Sequence, residues 1–532
     1  MKRLFSKKFI SVFLVLMALI VTTFVLPCLP AQAAIGDPDC WGVIIGISNY
    51  QNISDTWYGA DNAEAIYDEI SPAWGTNNVQ LLTNSEAKKS DILDAIAWLA
   101  TKATSDDTVL FDFNGHGGSG PYLCTYDSLP YSWSNDISAA ELALAFRAVH
   151  AGKIIIILDN CFAGNFKDEL SANGRVILMG TSPGEIGWEY RSLHHFVYTY
   201  YVLQAFDLFS KINSTATAAD VDTNNDYVLS AEEISNYADD LTTDFELDDY
   251  NPMPQHPTLY DGYAGDLAVL VKFMFKTNTY LPSGTDILTL DGVGYGQTVG
   301  PLIWAPGSTH TLSVVDIVAK GTDTRYVFTG WSDGDTETTK TVNYGLFTAN
   351  YDKEFLLVIE SVYANVTGAG WYKSGTTAAY SVIPLIETTD TKHIFTGWSG
   401  AATDTSVSGT LEMKTPLTLT ANWRNEYLLT INSEYGEPTG AGWYKEGESA
   451  AIAVEPVQGI IVRQIFDGWT GSLTDTAATA NVNMDAPKVI TATWHTDFLQ
   501  LYILIAVVVV LIAGAIVTVV LVRRHRAKAN IV

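Results

Sequence analysis

The chain has 532 residues, enough for several domains, and its 59 acidic residues outnumber the 30 basic ones, for a net charge of −29. An acidic surface repels the phosphates of nucleic acids and the headgroups of anionic lipids. We therefore exclude nucleic-acid binding and expect the charge to serve solubility, bound cations or cationic substrates.

Residues 1–34 have the pattern of a secretory signal peptide. Basic residues near the start precede the apolar run Phe9–Leu26, and the triplet Ala31-Gln32-Ala33 provides small residues for cleavage. We expect cleavage near Ala33 or Ala34. The alternative is an uncleaved N-terminal membrane anchor, because the apolar run is long.

Three cysteines remain after this cleavage, namely Cys40, Cys124 and Cys161, and we expect them in an oxidising compartment. An odd number means that one is unpaired or pairs between chains. If Cys40 and Cys124 form a disulfide, Cys161 is the remaining reactive thiol, although spacing alone does not fix the pairing.

Residues 35–275 predict an α/β domain, because short β-branched runs alternate with helical patterns. The continuous apolarity of these runs indicates a parallel sheet covered on both faces, so we expect a doubly wound, mostly parallel fold. Helices are predicted over Asp91–Ala103 and from Ser138, whose capping box is completed by Glu141. The predicted strands are Val43–Ile47, Val79–Leu82, Thr108–Phe113, Ile154–Leu158 and Val176–Met179.

Two of these strands end in residues that suit nucleophilic catalysis. His116 lies in a glycine-rich loop after one strand, and Cys161 follows the next strand in the segment 159–164. The carboxyl ends of parallel strands meet at the edge where ligands bind in open α/β sheets. A cysteine peptidase needs a thiol, an imidazole that accepts its proton, and N–H donors for the oxyanion. We predict Cys161 as nucleophile, His116 as base, and the N–H groups of Gly117 and Cys161 as oxyanion donors.

This first domain resembles the caspase, metacaspase and legumain superfamily over about 240 residues. The resemblance implies a caspase-like fold and a thiol protease that cleaves a protein or peptide substrate and needs no organic cofactor. One departure is Ala163, where many relatives carry Ser. The matching segments are Gly42–Tyr50, Gly115–Gly117, Asp159–Gly164, Gly180–Glu185 and His195–Tyr200.

The resemblance also bears on specificity, because metacaspase-like members place an Asp two residues before the nucleophile, where it binds a basic side chain. That position is Asp159 here. No Arg occurs in residues 48–54, where caspases hold one of their Asp-binding arginines. We expect cleavage after Lys or Arg, with legumain-like cleavage after Asn as an alternative. A purely structural role for Asp159 at the strand end is also open.

Residues 222–233 match a twelve-residue calcium loop of the EF-hand type, although Tyr227 replaces the usual glycine. A structural or regulatory Ca²⁺ of modest affinity is predicted. The alternative is a metal-free loop of Asx turns that opens a helix. The predicted ligands are Asp222, Asn224, Asp226, the Val228 carbonyl, Ser230 and Glu233.

Residues 276–496 contain three β-rich repeats about 70 residues apart. A Phe-x-Gly-Trp phrase occurs at Phe328, Phe395 and Phe466, and each repeat closes on a strand-end aromatic residue. These modules resemble internalin-type B-repeats of bacterial and archaeal surface proteins. Such repeats act as a stalk or bind a cell-surface ligand, and both roles stay open.

Residues 499–522 carry no charge and are long enough to span a bilayer as a helix. The basic residues in the tail 523–532 indicate that this end is cytoplasmic. We therefore expect a single-pass cell-membrane protein whose N-terminal domains face outward.

Two other functions fit the same sequence. The Cys–His pair also serves related hydrolases and transpeptidases. The chain could instead be a surface adhesion protein in which the α/β domain is a non-proteolytic scaffold.

Overall fold

The computed structural model describes residues 39–211, 221–245, 255–282, 284, 286–363 and 366–529. The predicted signal peptide and residues 530–532 of the tail lie outside these ranges. Two compact units are present: one contains described residues up to 318 together with 327–351, and the other contains 319–326 and the residues from 352 onward. The predicted domain limits at 275 and 496 stay predictions.

A six-stranded sheet lies at the centre of the first unit. Its spatial order is β6-β5-β4-β3-β1-β2, and all neighbouring pairs are parallel except the edge pair β5–β6. The predicted doubly wound, mostly parallel fold is therefore confirmed, while the antiparallel edge strand was not predicted. The strands are Cys40–Gly46 (β1), Val79–Thr83 (β2), Thr108–Asn114 (β3), Lys153–Asp159 (β4), Arg175–Met179 (β5) and Thr258–Asp261 (β6).

Helices cover both faces of this sheet, and each face has its own apolar core. The second helix begins two residues earlier than predicted and buries Ile92 and Leu99 at helical spacing. Ser138 and Glu141 form the predicted capping box. The helices of eight or more residues are Gly59–Trp74 (α1), Lys89–Lys102 (α2), Ala139–Phe146 (α3), Val197–Ser210 (α4), Ala231–Thr243 (α5) and Leu499–Ala529 (α6). Shorter helical turns span Asn84–Glu86, Ala163–Phe166 and Lys167–Leu170.

The Cys40–Cys124 disulfide considered above does not form. Both residues are buried, and all three cysteines of the described residues are free. Cys40 packs into the core on the α1 side of the sheet, whereas Cys124 packs into the core on the opposite face. Because the sheet separates the two side chains, their sulfur atoms cannot approach bonding distance.

Short strands occur in the segments that connect the larger elements of the first domain. A three-stranded insertion follows β3 and includes Gly117–Gly118. The small strands of the first domain are Gly117–Gly118, Tyr122–Leu123, Ile137–Ser138, Glu189–Tyr190, His195–Phe196 and Val228–Ser230.

Residues downstream of β6 are built from β-strands up to α6. The strands are Ala268–Thr277, Leu288–Leu290, Val293–Tyr295, Thr298–Trp304, His310–Val314, Ile317–Lys320, Thr324–Trp331, Thr339–Val342, Gly345–Glu360, Val366–Thr367, Gly370–Lys373, Thr377–Val382, Leu385–Glu387, Thr391–Gly400, Ser408–Glu412, Leu417–Ser433, Gly442–Lys445, Ser449–Ala453, Val457–Gln458, Arg463–Gly471, Thr479–Asn483 and Lys488–Asp497.

The Phe-x-Gly-Trp phrase adopts the same contacts in each module. Its tryptophans, Trp331, Trp398 and Trp469, are buried, and each ring N–H donates to a backbone carbonyl six to eight residues later, at 2.8, 2.9 and 3.0 Å. The preceding glycines have φ of 135°, 143° and 150°, which L side chains rarely adopt. The phrase therefore marks a repeated packing unit.

Helix α6 is the C-terminal element of the second unit. Residues Leu499–Ala527 have a mean hydropathy of 3.3 over the most apolar window, and their side chains are not buried within the protein. The helix is thus long and apolar enough to cross a membrane.

Candidate active site

The carboxyl ends of β3 and β4 place the two predicted catalytic residues in one cavity. Asn114 and Asp159 are direct neighbours at these ends, and His116 and Cys161 each follow two residues later. A cavity of about 90 Å³ is lined by both residues, by Asp159, and by the segment Gly187–Glu189. The topology therefore brings together residues that are 45 positions apart in the sequence.

The hydrogen bonds of His116 define which ring nitrogen is available. Nε2 lies 3.0 Å from the carbonyl oxygen of Ser54. A carbonyl only accepts, so this contact assigns the proton of the neutral ring to Nε2 and leaves a lone pair on Nδ1. The backbone N–H of His116 donates to Tyr50 Oη at 2.7 Å, which fixes the loop. Burial lowers the pKa of His116 despite the Ser54 carbonyl and Asp55, so the ring is in its basic form at neutral pH.

Cys161 is half-buried and is a thiol in the resting state. Burial raises the pKa of Cys161, and the nearby carboxylate of Asp159 adds to this rise. Hydrogen bonds with the backbone of Gly187, Cys161 and Gly117 act in the opposite direction. The backbone groups predicted as oxyanion donors are therefore close to the sulfur.

A sharp turn after Cys161 presents its side chain to the cavity. Phe162 has a left-handed backbone with φ of 64°, which costs about 1 kcal/mol for a non-glycine residue. Its N–H donates to the Glu185 carbonyl at 2.7 Å, and the N–H of Ala163 donates to Thr181 Oγ1 at 2.8 Å. These contacts hold the strained turn in place.

Position 117 must be a glycine because its backbone lies very close to the backbone of Cys161. A Cβ atom at this position would lie 2.0 Å from the Cys161 carbonyl oxygen and 2.5 Å from Asn160 Nδ2. No side chain fits such a gap. The glycine thus allows the two loops to meet beside the thiol.

Asp159 lies in the wall of the cavity with one oxygen paired and one free. Its Oδ2 accepts from the N–H of Thr199 at 2.9 Å and from Thr199 Oγ1 at 2.6 Å. Its Oδ1 is buried and has no hydrogen-bond partner within the described residues. Burial raises the pKa of Asp159 to about 6, although the Thr199 hydrogen bonds oppose the shift.

Ser54, Tyr50 and Thr199 were not predicted from the sequence as parts of this site. Ser54 contributes a backbone carbonyl, which no side-chain pattern reports. Tyr50 and Thr199 fall inside segments used for the resemblance, but nothing in their spacing indicated hydrogen bonds to His116 and Asp159.

The predicted calcium loop has its oxygen ligands engaged in local hydrogen bonds. The Asp222 carboxylate accepts from the N–H groups of Asp226 and Tyr227, both at 3.0 Å, and Tyr227 has φ of 68°. Glu233 caps α5 through the Ser230 N–H. Burial raises the pKa of Asp222, and repulsion from Asp226 and Glu233 adds to it.

This oxygen-only donor set fits the preference of Ca²⁺, and a bound cation would relieve the carboxylate repulsion. Glu233 would have to give up its capping contacts to coordinate a metal. Within the ranges described above, no group of three or more His, Cys, Asp or Glu side chains is arranged to hold a metal ion. Calcium binding stays a prediction.

Comparisons with protein families agree with both regions of the chain. Residues 40–245 match the family model of the caspase domain, and residues 427–497 match that of the divergent InlB B-repeat domain. The chain matches no curated protein sequence. The predicted resemblances are thereby confirmed. With its mixed six-stranded sheet and downstream β modules, the chain carries a caspase domain followed by β modules, the last of which is a divergent InlB B-repeat domain.

Proposed function

We propose that the protein is a membrane-anchored, extracytoplasmic cysteine endopeptidase that uses Cys161 and His116. The main support is geometric. The thiol and the imidazole line one cavity, and His116 Nε2 is held by a carbonyl, so Nδ1 is the atom free to accept a proton. The caspase domain independently favours cysteine peptidase chemistry.

In the proposed mechanism the Cys161 thiol transfers its proton to His116 Nδ1 while Sγ attacks the substrate carbonyl carbon. The resulting oxyanion accepts hydrogen bonds from the N–H groups of Gly117 and Cys161. The imidazolium is stabilised by the Ser54 carbonyl and the nearby Asp55 carboxylate, both of which favour its charged form. It then protonates the leaving amine, and a water activated by His116 hydrolyses the thioester.

For specificity we propose that Asp159 binds a substrate Lys or Arg. A buried carboxylate with an unpaired oxygen in the cavity wall gains most from a cationic partner. Arg would bind better than Lys if both its nitrogens reach the carboxylate. Preference for Asn instead would indicate a legumain-like pocket.

For location we propose that α6 is a single-pass anchor. Arg523, Arg524 and Arg526 would lie on the cytoplasmic side by the positive-inside tendency. The caspase domain and the β modules would then face outward. The role proposed for the β modules is that of a stalk between the peptidase and its anchor.

The test is covalent labelling with a thiol-reactive peptide probe on the full chain. We expect the probe to label Cys161 in the wild type and to fail on a His116→Ala variant, because proton transfer to the imidazole generates the thiolate. Cys124→Ala is the matched control. Because the Cys124 thiol is buried, this variant should still be labelled at Cys161. No labelling of the wild type would favour the non-proteolytic scaffold. Product in which an added amine replaces water would identify a transpeptidase.

A further inference from the structure

The last β module has an unusually apolar hairpin tip. Residues Gly459–Val462, here called the module-3 tip, connect the strands Val457–Gln458 and Arg463–Gly471. Ile460, Ile461 and Val462 are 88, 46 and 40% exposed. Three adjacent aliphatic side chains in solvent are costly unless another apolar phase covers them.

The other two modules show that this hairpin does not need an apolar tip. When the modules are aligned on their Phe-x-Gly-Trp phrases, the tip positions hold Gly321–Thr324 in the first module and Thr388–Thr391 in the second. Both are Thr- and Asp-containing segments without an aliphatic residue. The aliphatic triplet is therefore specific to the module that precedes α6.

The first two tips also differ from the third in what lies next to them. The Asp323 carbonyl accepts from the N–H of Leu356 at 2.9 Å, and the Asp390 carbonyl accepts from the N–H of Leu428 at 3.0 Å. Each of these leucines lies five residues after a strand-end aromatic residue, at the start of the next module. Five residues after the corresponding Trp494 is Leu499, the first residue of α6. The third tip thus occupies a position where a membrane-spanning segment replaces a module.

Local contacts hold this tip at the base of α6. Arg463, which follows the tip directly, pairs in register with Asp497, and their side chains form an ion pair of 2.6 Å. The second oxygen of Asp497 accepts from the N–H of Leu499 at 2.8 Å. Phe498 and Tyr502 are exposed here, as aromatic residues commonly are at a bilayer surface.

We propose that the module-3 tip inserts its aliphatic side chains into the outer leaflet of the bilayer beside α6. This rests on the proposed function of α6 as an anchor. The tip would reach the boundary of headgroups and acyl chains, about 5–10 Å deep, as interfacial apolar segments do. The acidic chain repels anionic headgroups, so we expect the tip to prefer zwitterionic lipid. Apolar burial, not charge, would drive the contact. A second attachment point would restrict rotation of the last module about α6.

The experiment uses the full chain in phosphatidylcholine vesicles with an environment-sensitive fluorophore at one engineered cysteine. A Cys161→Ser background removes the one cysteine of the described residues that is not buried. The test variant is Ile460→Cys, the matched control is Thr389→Cys at the same position of the second module, and Val509→Cys reports on α6. Lipids carrying a nitroxide on the acyl chain quench fluorophores that enter the bilayer.

We expect quenching at position 460 to be several-fold stronger than at 389, and to fall to the level of 389 when Ile461→Asp is added. Quenching at 509 with equal, weak quenching at 460 and 389 would overturn the insertion of the tip while leaving the anchor intact. Absence of quenching at 509 would overturn the anchor itself, and the tip proposal with it.

Discussion

The caspase domain and the β modules both force glycine into close contacts, but they use it differently. Gly330, Gly397 and Gly468 repeat one backbone geometry in three modules, each beside a buried tryptophan. The contact that Gly117 makes, against the Cys161 carbonyl, is not part of a repeat. Repetition of a contact indicates packing, whereas a contact made once, next to titratable groups in a cavity, indicates chemistry.

The largest expected effect tests the chemical side of this comparison. Cys161→Ala and His116→Ala should each lower kcat/KM for peptide hydrolysis by at least about 10³-fold, because nucleophile and base act as a unit. The melting temperature should hardly change, since neither side chain is fully buried. Cys124→Ala serves as the control and should retain activity. Turnover in purified Cys161→Ala would contradict the mechanism.

The packing side is tested by Trp398→Ala. Removing this buried ring and its hydrogen bond to the Ser406 carbonyl should destabilise the second module by about 3–5 kcal/mol. Hydrolysis of a short peptide should be unchanged. Thermal unfolding and kcat/KM measured on the same preparation check both statements. A loss of activity without a loss of stability would show that the modules take part in catalysis.

The sequence predicted the strands and the proximity of His116 to Cys161 because apolar runs define parallel strands, and the carboxyl ends of such strands meet at one edge. It did not predict the Ser54 carbonyl, the Thr199 contact or the edge strand β6. These depend on packing between segments far apart in the chain, which local patterns do not encode. The rejected pairing of Cys40 with Cys124 has the same cause, because spacing does not reveal which face of a sheet a residue occupies.

The proposed contact between Asp159 and a substrate cation should determine specificity, and Asp159→Asn tests this. The variant should lose about 10²-fold in kcat/KM for substrates with Lys or Arg before the scissile bond, because a substrate cation would remain unpaired. Substrates with a neutral residue there should be much less affected. A fluorogenic peptide panel varied at this one position measures the difference. Preference of the wild type for Asn or Asp would contradict the assignment.

The pH profile separates Asp159 from His116. The pKa of Asp159 is raised to about 6, so its carboxyl gains a proton as the pH falls through that value and no longer attracts a basic substrate. Burial lowers the pKa of His116, so its imidazole gains a proton only at a pH below the usual range for histidine. The acid limb of kcat/KM for basic substrates should therefore involve two protons in the wild type and one in Asp159→Asn. Identical limbs would argue against binding through the Asp159 carboxylate.

The smallest expected effect concerns the calcium loop, which also occurs once but contributes no residue to the lining of the cavity. Ca²⁺ that binds only the folded loop should stabilise the protein by about 2.7 kcal/mol at a hundredfold excess over Kd. The melting temperature should therefore rise. Asp226→Asn should weaken this response, since Asp226 is an exposed ligand candidate whose loss spares the helix cap made by Glu233. Calorimetry with Ca²⁺ and with EDTA checks the prediction, and Mg²⁺ controls for nonspecific charge screening. Equal melting curves with Ca²⁺ and EDTA would leave the loop as a metal-free turn, because its hydrogen bonds already satisfy the Asp222 carboxylate.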